Sequence, residues 1–230
     1  MISIIIPTYN EKENIKNLIA EISNIFKKNK IKGEIIIVDD NSPDGTGKIA
    51  ENLSKKYSVK VLHRKGKLGL SSAVVAGFKA AKGSILGVMD ADFSHPPEII
   101  PELIKPILNE NIDFVIGSRH VKGGGIENWP LLRKLISKGA TLLAKTVTNV
   151  KDPMSGLFFL KKSVIKGIKF DSKGFKICLE ILVKGSYKTV KEVPYIFKDR
   201  RVGKSKLGAG EYLNYVVTLA RLIKYKIARK

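Results

Sequence analysis

The sequence predicts an α/β fold in which helices flank a mainly parallel central sheet. In the first half of the chain, short apolar runs alternate with segments whose apolar residues recur every three or four positions, a pattern typical of βαβ units. The chain has 230 residues, of which 43% are hydrophobic and 27% are charged. This composition supports one continuous core rather than a disordered chain. We expect a main domain over residues 1–209 and a basic amphipathic helix over 210–230, both part of one unit.

The predicted strands are short and apolar, with turn residues between them. They lie near residues 2–6, 34–39, 59–63, 84–89 and 112–117, with later strands around 156–160 and 189–197. Apolar residues at helical spacing over 15–26 predict a helix after the first strand, with Asn10 as its N-cap. Pro96-Pro97 is a suitable helix start, because proline is tolerated in the first turn. Further helices are expected around 175–185 and from 210 onward.

The net charge and the single cysteine indicate which partners and which cellular compartment to expect. A formal net charge of +21 attracts phosphate groups, whether of a nucleotide, a nucleic acid or an anionic lipid, and charge alone does not distinguish these. The single cysteine, Cys178, lies in an apolar segment, which predicts a buried thiol and a reducing compartment. No run approaches the roughly 18 apolar residues that span a bilayer. We therefore expect a cytoplasmic protein whose membrane contact, if any, is peripheral.

Two aspartates, Asp90 and Asp92, directly follow the apolar run 85–89. Ligands of open α/β sheets bind beyond the carboxyl ends of the strands, so this is a favourable place for a site. Carboxylates two positions apart offer only oxygen ligands and suit Mg²⁺ or Mn²⁺, with substrate phosphates and water completing the coordination. The alternative is a solvated turn, since aspartate is common after strands.

Polar residues also follow each of the first two predicted strands. Asp39 to Gly45 come after one apolar run, and Tyr9 and Glu11 come after the other. An aromatic ring can stack on a nucleotide base, while carboxylates can accept hydrogen bonds from base N–H groups or ribose hydroxyls. Tight-turn chemistry is the alternative reading of Asn41-Ser-Pro-Asp-Gly45.

An ordered set of motifs resembles the inverting family 2 glycosyltransferases with a GT-A fold. These motifs are Pro7-Thr-Tyr-Asn-Glu11, Val38-Asp-Asp-Asn-Ser42, Gly69-Leu-Ser-Ser-Ala73, Asp90-Ala-Asp92 and Gly117-Ser-Arg119. Later segments resemble the polyprenol (dolichol) phosphate mannose synthases within that family. They are Asn128-Trp-Pro130, Arg133-Lys-Leu-Ile-Ser137, Asp152-Pro-Met-Ser-Gly156, Gly174-Phe-Lys176 and Gly203-Lys-Ser-Lys-Leu207.

The resemblance implies a role for each matching position. The nucleoside would be held by Pro7, Tyr9, Glu11, Val38 and Asp40, with Asp40 rather than Asp39 on the base. The metal and the diphosphate would be held at Asp90, Ala91 and Asp92. Ser94 stands where some relatives carry glutamine, which puts a third side-chain metal ligand in doubt. Basic positions around the donor diphosphate and the acceptor phosphate would be Arg119, Arg133, Lys176, Arg200 and Lys206, and the catalytic residues would be Asp92, Arg119 and Arg200.

The resemblance also implies transfer of mannose from GDP-mannose to a polyprenyl or dolichyl phosphate, with Mg²⁺ or Mn²⁺. A lipid phosphate is already anionic, so it needs no general base, in agreement with the absence of the Glu-Asp base motif of polysaccharide-making relatives. UDP-glucose or UDP-N-acetylglucosamine is the alternative donor. A basic nucleic-acid-binding module is the alternative from another class, although it leaves the acidic strand ends unexplained, and we expect no nucleic-acid partner.

Three features of the sequence remain open between alternative readings. Asp152 either orients a basic side chain or lines the acceptor site, unless Asp152-Pro153 is an ordinary turn. His95 lies beside the two aspartates and is a possible metal ligand. The apolar stripe of the C-terminal helix, which is flanked by basic residues, either lies on anionic lipid or packs on the core. Its members are Leu213, Val216, Val217, Ala220, Ile223 and Ile227. A small membrane subunit is another possible means of recruitment.

Overall fold

The computed structural model describes residues 1–171, 176–198 and 209–228, without the side chains of residues 209–213. The strands are β1 (Ile2–Thr8), β2 (Gly33–Asp39), β3 (Val59–His63), β4 (Ile85–Val88), β5 (Phe114–Ser118), β6 (Gly125–Ile126), β7 (Phe158–Lys161), β8 (Val190–Pro194) and β9 (Ile196–Phe197). The α-helices are α1 (Lys12–Lys28), α2 (Thr46–Ser54), α3 (Leu70–Ala80), α4 (Ile100–Asn109), α5 (Leu131–Ala144), α6 (Ile177–Lys184) and α7 (Ala209–Ile227).

Seven strands form the central sheet in the order β3-β2-β1-β4-β7-β5-β8. All neighbouring pairs are parallel except those of β7, which runs antiparallel to both β4 and β5. β6 and β9 form a separate parallel pair. The predicted mainly parallel α/β sheet is confirmed, with one antiparallel strand inserted near its centre.

Apolar side chains alternate between the two faces of the sheet, as the two-residue period of a strand requires. Ile4 and Ile6 of β1 pack with α1 and α4 on one face. Ile5 packs with α3 and α6 on the other face, where Cys178 is also buried. Burial raises the pKa of the Cys178 thiol, in agreement with the buried cysteine expected from the sequence.

Most predicted strands are confirmed, but two local predictions are wrong. The strand expected over 189–197 is interrupted at Tyr195, whose N–H donates to the carbonyl of Ser118, and it therefore forms β8 and β9. Asn10 is not the N-cap of α1. It has a left-handed φ of 57°, and Glu11 occupies the cap position without a side-chain cap hydrogen bond. The N–H groups at this helix start instead find partners in the loop after β2.

The C-terminal helix α7 packs on α5 and α6 through a different face from the predicted stripe. Tyr215, Leu219 and Leu222 are buried beside Leu179 of α6. Val216 and Val217 are 56% and 42% exposed, so part of the predicted stripe faces outward. Among the residues described here, no helix has the length and apolar character to cross a bilayer. The division at residue 209 stays a prediction.

Replacing Gly87 with alanine should destabilise the fold, because β4 and β7 meet too closely for a side chain there. A Cβ at Gly87 would lie 2.2 Å from Cε1 of Phe159, which is fully buried. Overpacking of this kind costs about 1–3 kcal/mol. A Cβ at Gly66 meets nothing within 4 Å, so Gly66→Ala serves as the control. Urea unfolding should show a loss for Gly87→Ala alone, and equal stabilities of the two variants would contradict the strand contact.

Candidate active site

The carboxyl ends of three adjacent strands form one edge of the sheet. β2, β1 and β4 are neighbours and run parallel, ending at Asp39, Thr8 and Val88. The loops that follow them therefore emerge side by side. The predicted clusters at Tyr9–Glu11, Asp39–Asp44 and Asp90–Asp92 lie on this same edge, as expected for a ligand site in an α/β sheet.

Hydrogen bonds tie the loop after β1 to the loop after β2. Three consecutive main-chain N–H groups donate to oxygens of the second loop and of the first residue of α2, at distances of 2.9 to 3.1 Å. The pairs are Asn10 with Ser42 Oγ, Glu11 with Thr46 Oγ1, and Lys12 with Asp44 Oδ2. Burial opposes ionisation of Asp44, but hydrogen bonds from Thr46 and Lys12 outweigh it and lower the pKa. The two loops therefore form a fixed rim that carries Tyr9 and Glu11.

Side chains on this rim have distinct neighbours. The ammonium of Lys67 lies 4.4 Å from the centroid of the Tyr9 ring, within cation–π range. Glu11 Oε2 accepts a hydrogen bond from Asn14 Nδ2 at 2.9 Å. Val38 is fully buried in the sheet, so only its main chain can reach a ligand, while Pro7 is partly buried beside it in β1.

The two adjacent aspartates after β2 have different environments. Asp39 is 2% exposed and accepts hydrogen bonds from Thr8 Oγ1 and from the Ser42 N–H, so it stabilises the loop. Asp40 faces the start of α3. Its Oδ1 lies 2.6 Å from Nη1 of Arg64, and its Oδ2 accepts the N–H groups of Leu68 and Gly69 at 3.0 and 2.9 Å. The sequence did not single out Arg64, which becomes part of this rim only through folding.

Asp90 and Asp92 lie directly beyond β4, with unequal access to solvent. The side chain of Asp90 is 35% exposed. Asp92 is 5% exposed, and its Oδ1 accepts the Ser94 N–H at 3.1 Å. Ser94 Oγ is buried and has no hydrogen-bond partner among the described residues, so a short polar group without a protein partner lies beside the carboxylate pair.

His95 is buried next to this loop and holds its main chain. It is 1% exposed, and its Nδ1 accepts the Asp90 N–H at 3.0 Å. Burial lowers the pKa of His95 to about 4, although the charge of Asp92 opposes the shift. The neutral imidazole therefore uses Nδ1 to hold the main chain of Asp90, which is a structural role.

The donor set at Asp90 and Asp92 fits a hard divalent cation that also binds phosphate. Both side chains offer carboxylate oxygens, the ligands that Mg²⁺ and Mn²⁺ prefer. The described residues contain no group of three or more His, Cys, Asp or Glu side chains arranged to hold an ion. Gly156 faces Asp90 and His95, and a Cβ there would lie 3.2 Å from Asp90 Oδ2 and 3.0 Å from His95 Cε1. The missing side chain therefore leaves space beside Asp90.

A buried ion pair joins Arg119, after β5, to Asp152. Nε and Nη2 of Arg119 lie 2.7 Å from Oδ2 and Oδ1 of Asp152, and the Arg119 N–H donates to the same carboxylate. Burial disfavours both charges, but their mutual hydrogen bonds outweigh it, so the pKa of Arg119 is raised and that of Asp152 is lowered. Asp152 therefore orients a basic side chain, one of the alternatives given by the sequence.

Aromatic side chains complete the surroundings of Arg119. Its Cζ lies 5.8 Å from the centroid of Trp129 and 5.7 Å from that of Phe197. Arg133 stacks closer, with Cζ 3.9 Å from Trp129. Folding thus brings Arg119 and Arg133 to the same indole ring.

The other predicted basic residues are placed differently. Lys176 Nζ lies 5.3 Å from the ring centroid of Tyr215 in α7. Arg200 and Lys206 lie outside the described residues, as do Gly174, Phe175 and the segment 203–207.

Glu192 in β8 is a partly buried support that sequence reasoning missed. Its Oε1 accepts hydrogen bonds from Ser118 Oγ at 2.7 Å and from the Asp152 N–H at 2.9 Å, while Oε2 accepts the Lys151 N–H at 2.8 Å. Glu192 thus joins the end of β5 to the turn that carries Asp152. The only signal in the sequence is a carboxylate within a predicted strand.

Replacing Glu192 with glutamine should loosen the Asp152 turn. The amide keeps one acceptor but presents an NH₂ group to a main-chain N–H, which should lower the free energy of unfolding by about 1–2 kcal/mol. Hydrogen exchange at the amides of Lys151 and Asp152 should become faster. Glu102→Gln, at an exposed position of α4, is the control for charge loss. Unchanged exchange at both amides would contradict the role of Glu192.

Comparison with known proteins identifies relatives of this chain. Residues 3–168 match the family model described as "Glycosyl transferase family 2". Over 229 residues, the chain is 49% identical to a dolichol-phosphate mannosyltransferase of Pyrococcus furiosus. The matched region covers 98% of this chain and 64% of that protein. The chain therefore spans less than two thirds of this relative. It is 38% identical to a dolichol-phosphate mannosyltransferase of Saccharomyces cerevisiae, covering 97% of this chain and 87% of that protein.

Solved structures share the fold at low sequence identity. Glucosyl-3-phosphoglycerate synthase from Mycobacterium tuberculosis, in complex with Mn²⁺, UDP-glucose and phosphoglyceric acid, has a TM-score of 0.72 at 19% identity, over 97% of this chain and 80% of that one. Mannosyl-3-phosphoglycerate synthase from Rubrobacter xylanophilus has a TM-score of 0.70 at 17% identity, over 100% of this chain and 75% of that one. The family match and this structural similarity together show that the chain belongs to glycosyl transferase family 2 and has a GT-A-like α/β fold.

Proposed function

We propose that the protein transfers mannose from GDP-mannose to a polyprenyl or dolichyl phosphate, with inversion at the anomeric carbon and with Mg²⁺ or Mn²⁺. The observation that carries this proposal is the position of Asp90 and Asp92. They lie between the rim of Tyr9, Glu11 and Asp40 and the side of the sheet that holds Arg119. The similarity to dolichol-phosphate mannosyltransferases over nearly the whole chain supports the choice of sugar and acceptor.

Each side of the site would bind one part of the donor. Tyr9 would stack on the base, while Glu11 and Asp40 would accept hydrogen bonds from the nucleoside. Asp40 already accepts three hydrogen bonds, one from Arg64, and a carboxylate has about four lone-pair sites. The start of α3 therefore fixes the orientation in which Asp40 would meet the base.

The diphosphate would lie over Asp90, Ala91 and Asp92. A divalent cation bound there would neutralise the departing diphosphate. His95 holds the main chain of Asp90, and the N–H of Ser94 holds the carboxylate of Asp92, so this loop needs little reorganisation on binding. Gly156 keeps the space beside Asp90 open.

The acceptor phosphate carries its own negative charge and would attack the sugar carbon directly. No proton has to be removed first, so the electrostatic repulsion between two anions becomes the main difficulty. We propose that Arg119 and Arg200 offset this repulsion, with Arg133, Lys176 and Lys206 binding phosphate oxygens. We propose that the protein meets such an acceptor peripherally at the cytoplasmic face of a membrane, and that anionic lipid or a small membrane subunit recruits it there.

The test is a panel of radiolabelled GDP- and UDP-sugars, each offered with polyprenyl phosphate and either Mg²⁺ or Mn²⁺. Label from GDP-mannose should move into the organic phase, and EDTA should prevent this. Transfer from UDP-glucose or UDP-N-acetylglucosamine instead would keep the lipid acceptor but replace the donor. Label that stays in the aqueous phase for every donor, with folded protein, would reject the lipid acceptor.

A further inference from the structure

Lys67 lies in the turn between β3 and α3, and its side chain contacts the rim of the candidate active site. The ammonium group is 4.4 Å from the ring centroid of Tyr9, the aromatic residue on which the base of the donor would stack. Tyr9 follows β1 and Asp40 follows β2, so Lys67 brings a third loop to the rim. The proposed function gives no role to this lysine.

The turn that carries Lys67 is fixed to the rim by hydrogen bonds. The next two main-chain N–H groups, those of Leu68 and Gly69, both donate to Oδ2 of Asp40, at 3.0 and 2.9 Å. Arg64, at the start of the turn, donates to Oδ1 of the same carboxylate and to the carbonyl of Gly69. The main chain of Lys67 is therefore held next to Asp40, and its exposed side chain is the part that can change position.

Asp40 and Lys67 offer opposite kinds of contact to a bound base. The Asp40 carboxylate is 5% exposed and pairs with Arg64, and three of its roughly four lone-pair sites are already filled. It can accept one further hydrogen bond. An ammonium group carries three N–H donors, and the face of an aromatic ring satisfies none of them with a conventional hydrogen bond. The rim therefore presents an acceptor and a charged donor.

The edge of guanine matches an acceptor and a donor that lie side by side. Its N1–H and N2 amino groups are donors, while O6, next to N1, and N7 are acceptors. Asp40 would accept from one of the donors, and Lys67 would donate to O6 or N7, as lysine does with guanine in the major groove of DNA. Adenine carries an amino group in place of O6. It would point N–H donors at the ammonium group, so a 6-aminopurine fits this lysine poorly.

Lys67 can reach the edge of a base without a rearrangement of the main chain. A base stacked on Tyr9 would lie beside the ammonium group, which a flexible hydrocarbon chain joins to the turn. The contact with the ring is weak at an exposed position, whereas a hydrogen bond from a charged donor is stronger. Movement of the ammonium group from the ring to the base is therefore favourable once a 6-oxopurine is bound.

We propose that Lys67 is a specificity-determining residue of the donor site, and that its ammonium group selects a 6-oxopurine base over a 6-aminopurine. This inference rests on the proposed function, because it takes the base to bind between Tyr9 and Asp40. It adds the group that recognises the oxygen at position 6 of the purine. A lysine that only covers an aromatic ring would treat the two kinds of purine alike.

The experiment is calorimetric titration of the whole chain with GDP, IDP and ADP in the presence of Mn²⁺. GDP and IDP share O6 and N7, IDP lacks the N2 amino group, and ADP carries an amino group at position 6. Wild-type protein should bind GDP and IDP more tightly than ADP. Lys67→Met should weaken the binding of GDP and IDP about tenfold more than that of ADP, since only the first two lose a hydrogen bond from a charged donor.

Lys65→Met is the matched control, because Lys65 is an exposed lysine of the same turn and its loss changes the net charge equally. It should leave the ratio of GDP to ADP affinity unchanged, and circular dichroism checks that both variants are folded. The proposal is overturned if wild-type protein binds GDP and ADP equally. A preference for GDP that Lys67→Met retains would reject the role of Lys67 alone. Tighter binding of UDP than of GDP by wild-type protein would reject the proposed donor, and this inference with it.

Discussion

Replacing Asp92 with asparagine should reduce sugar transfer by at least about a hundredfold while the protein remains folded. Asparagine keeps the shape of the side chain and an oxygen that can accept the Ser94 N–H, so the loop after β4 should keep its conformation. It removes the negative charge that would bind the cation. Losing one group that stabilises charge in the transition state typically costs a factor of 10² to 10³ in rate.

The measurement is initial-rate transfer of labelled mannose, together with calorimetric titration of Mn²⁺ in the presence of GDP. The variant should show weakened cation binding as well as slow transfer. Glu102→Gln removes one carboxylate from an exposed position of α4, and it should leave both quantities unchanged. Full transfer by Asp92→Asn would remove the carboxylate pair from the mechanism, whatever the donor sugar.

Much of the site could be predicted because its residues follow strands directly. The apolar runs over 2–6, 34–39 and 84–89 predicted β1, β2 and β4, and parallel strands end at a common edge. Asp40 and Asp90 were therefore expected near each other before the fold was known. The order of the sheet, in which β1 lies between β2 and β4, agrees with that expectation.

The features that were missed depend on pairs of residues far apart in sequence. Glu192 accepts from Ser118 Oγ across 74 positions, and Arg64 reaches Asp40 across 24. Contacts between residues so far apart leave no periodic pattern in the sequence. The same limit explains Asn10, whose sequence fits an N-cap, although the neighbouring N–H groups find partners in the loop after β2 instead.

Helix surfaces were also only partly predictable. The apolar stripe of α7 suggested either a lipid-facing or a core-facing helix, and folding buries Tyr215, Leu219 and Leu222 while Val216 and Val217 stay exposed. The stronger exposed apolar face is on α5. A helical pattern shows that one face is apolar, but the neighbours of the helix determine whether that face is covered.

Replacing Asp152 with alanine should destabilise the protein by about 3–5 kcal/mol, because it leaves the charge of Arg119 buried without its partner. The Arg119 side chain is 9% exposed and that of Asp152 is 0% exposed, so water cannot replace the lost carboxylate without local opening. Urea unfolding measures the loss. The exposed pair of Lys191 and Glu110 is the control, since removing an ion pair at the surface through Glu110→Ala should cost less than about 1 kcal/mol.

The double variant Arg119→Met with Asp152→Ala separates stability from catalysis. Removing both charges leaves no buried ion unpaired, so the double variant should be more stable than Asp152→Ala alone. Transfer should nevertheless remain lost, because the arginine that would offset the repulsion between acceptor and donor is gone. Recovery of both stability and transfer would mean that the pair only supports the fold. Recovery of stability alone would support Arg119 as a catalytic residue, held by Asp152 beside the sheet edge that carries Asp90 and Asp92.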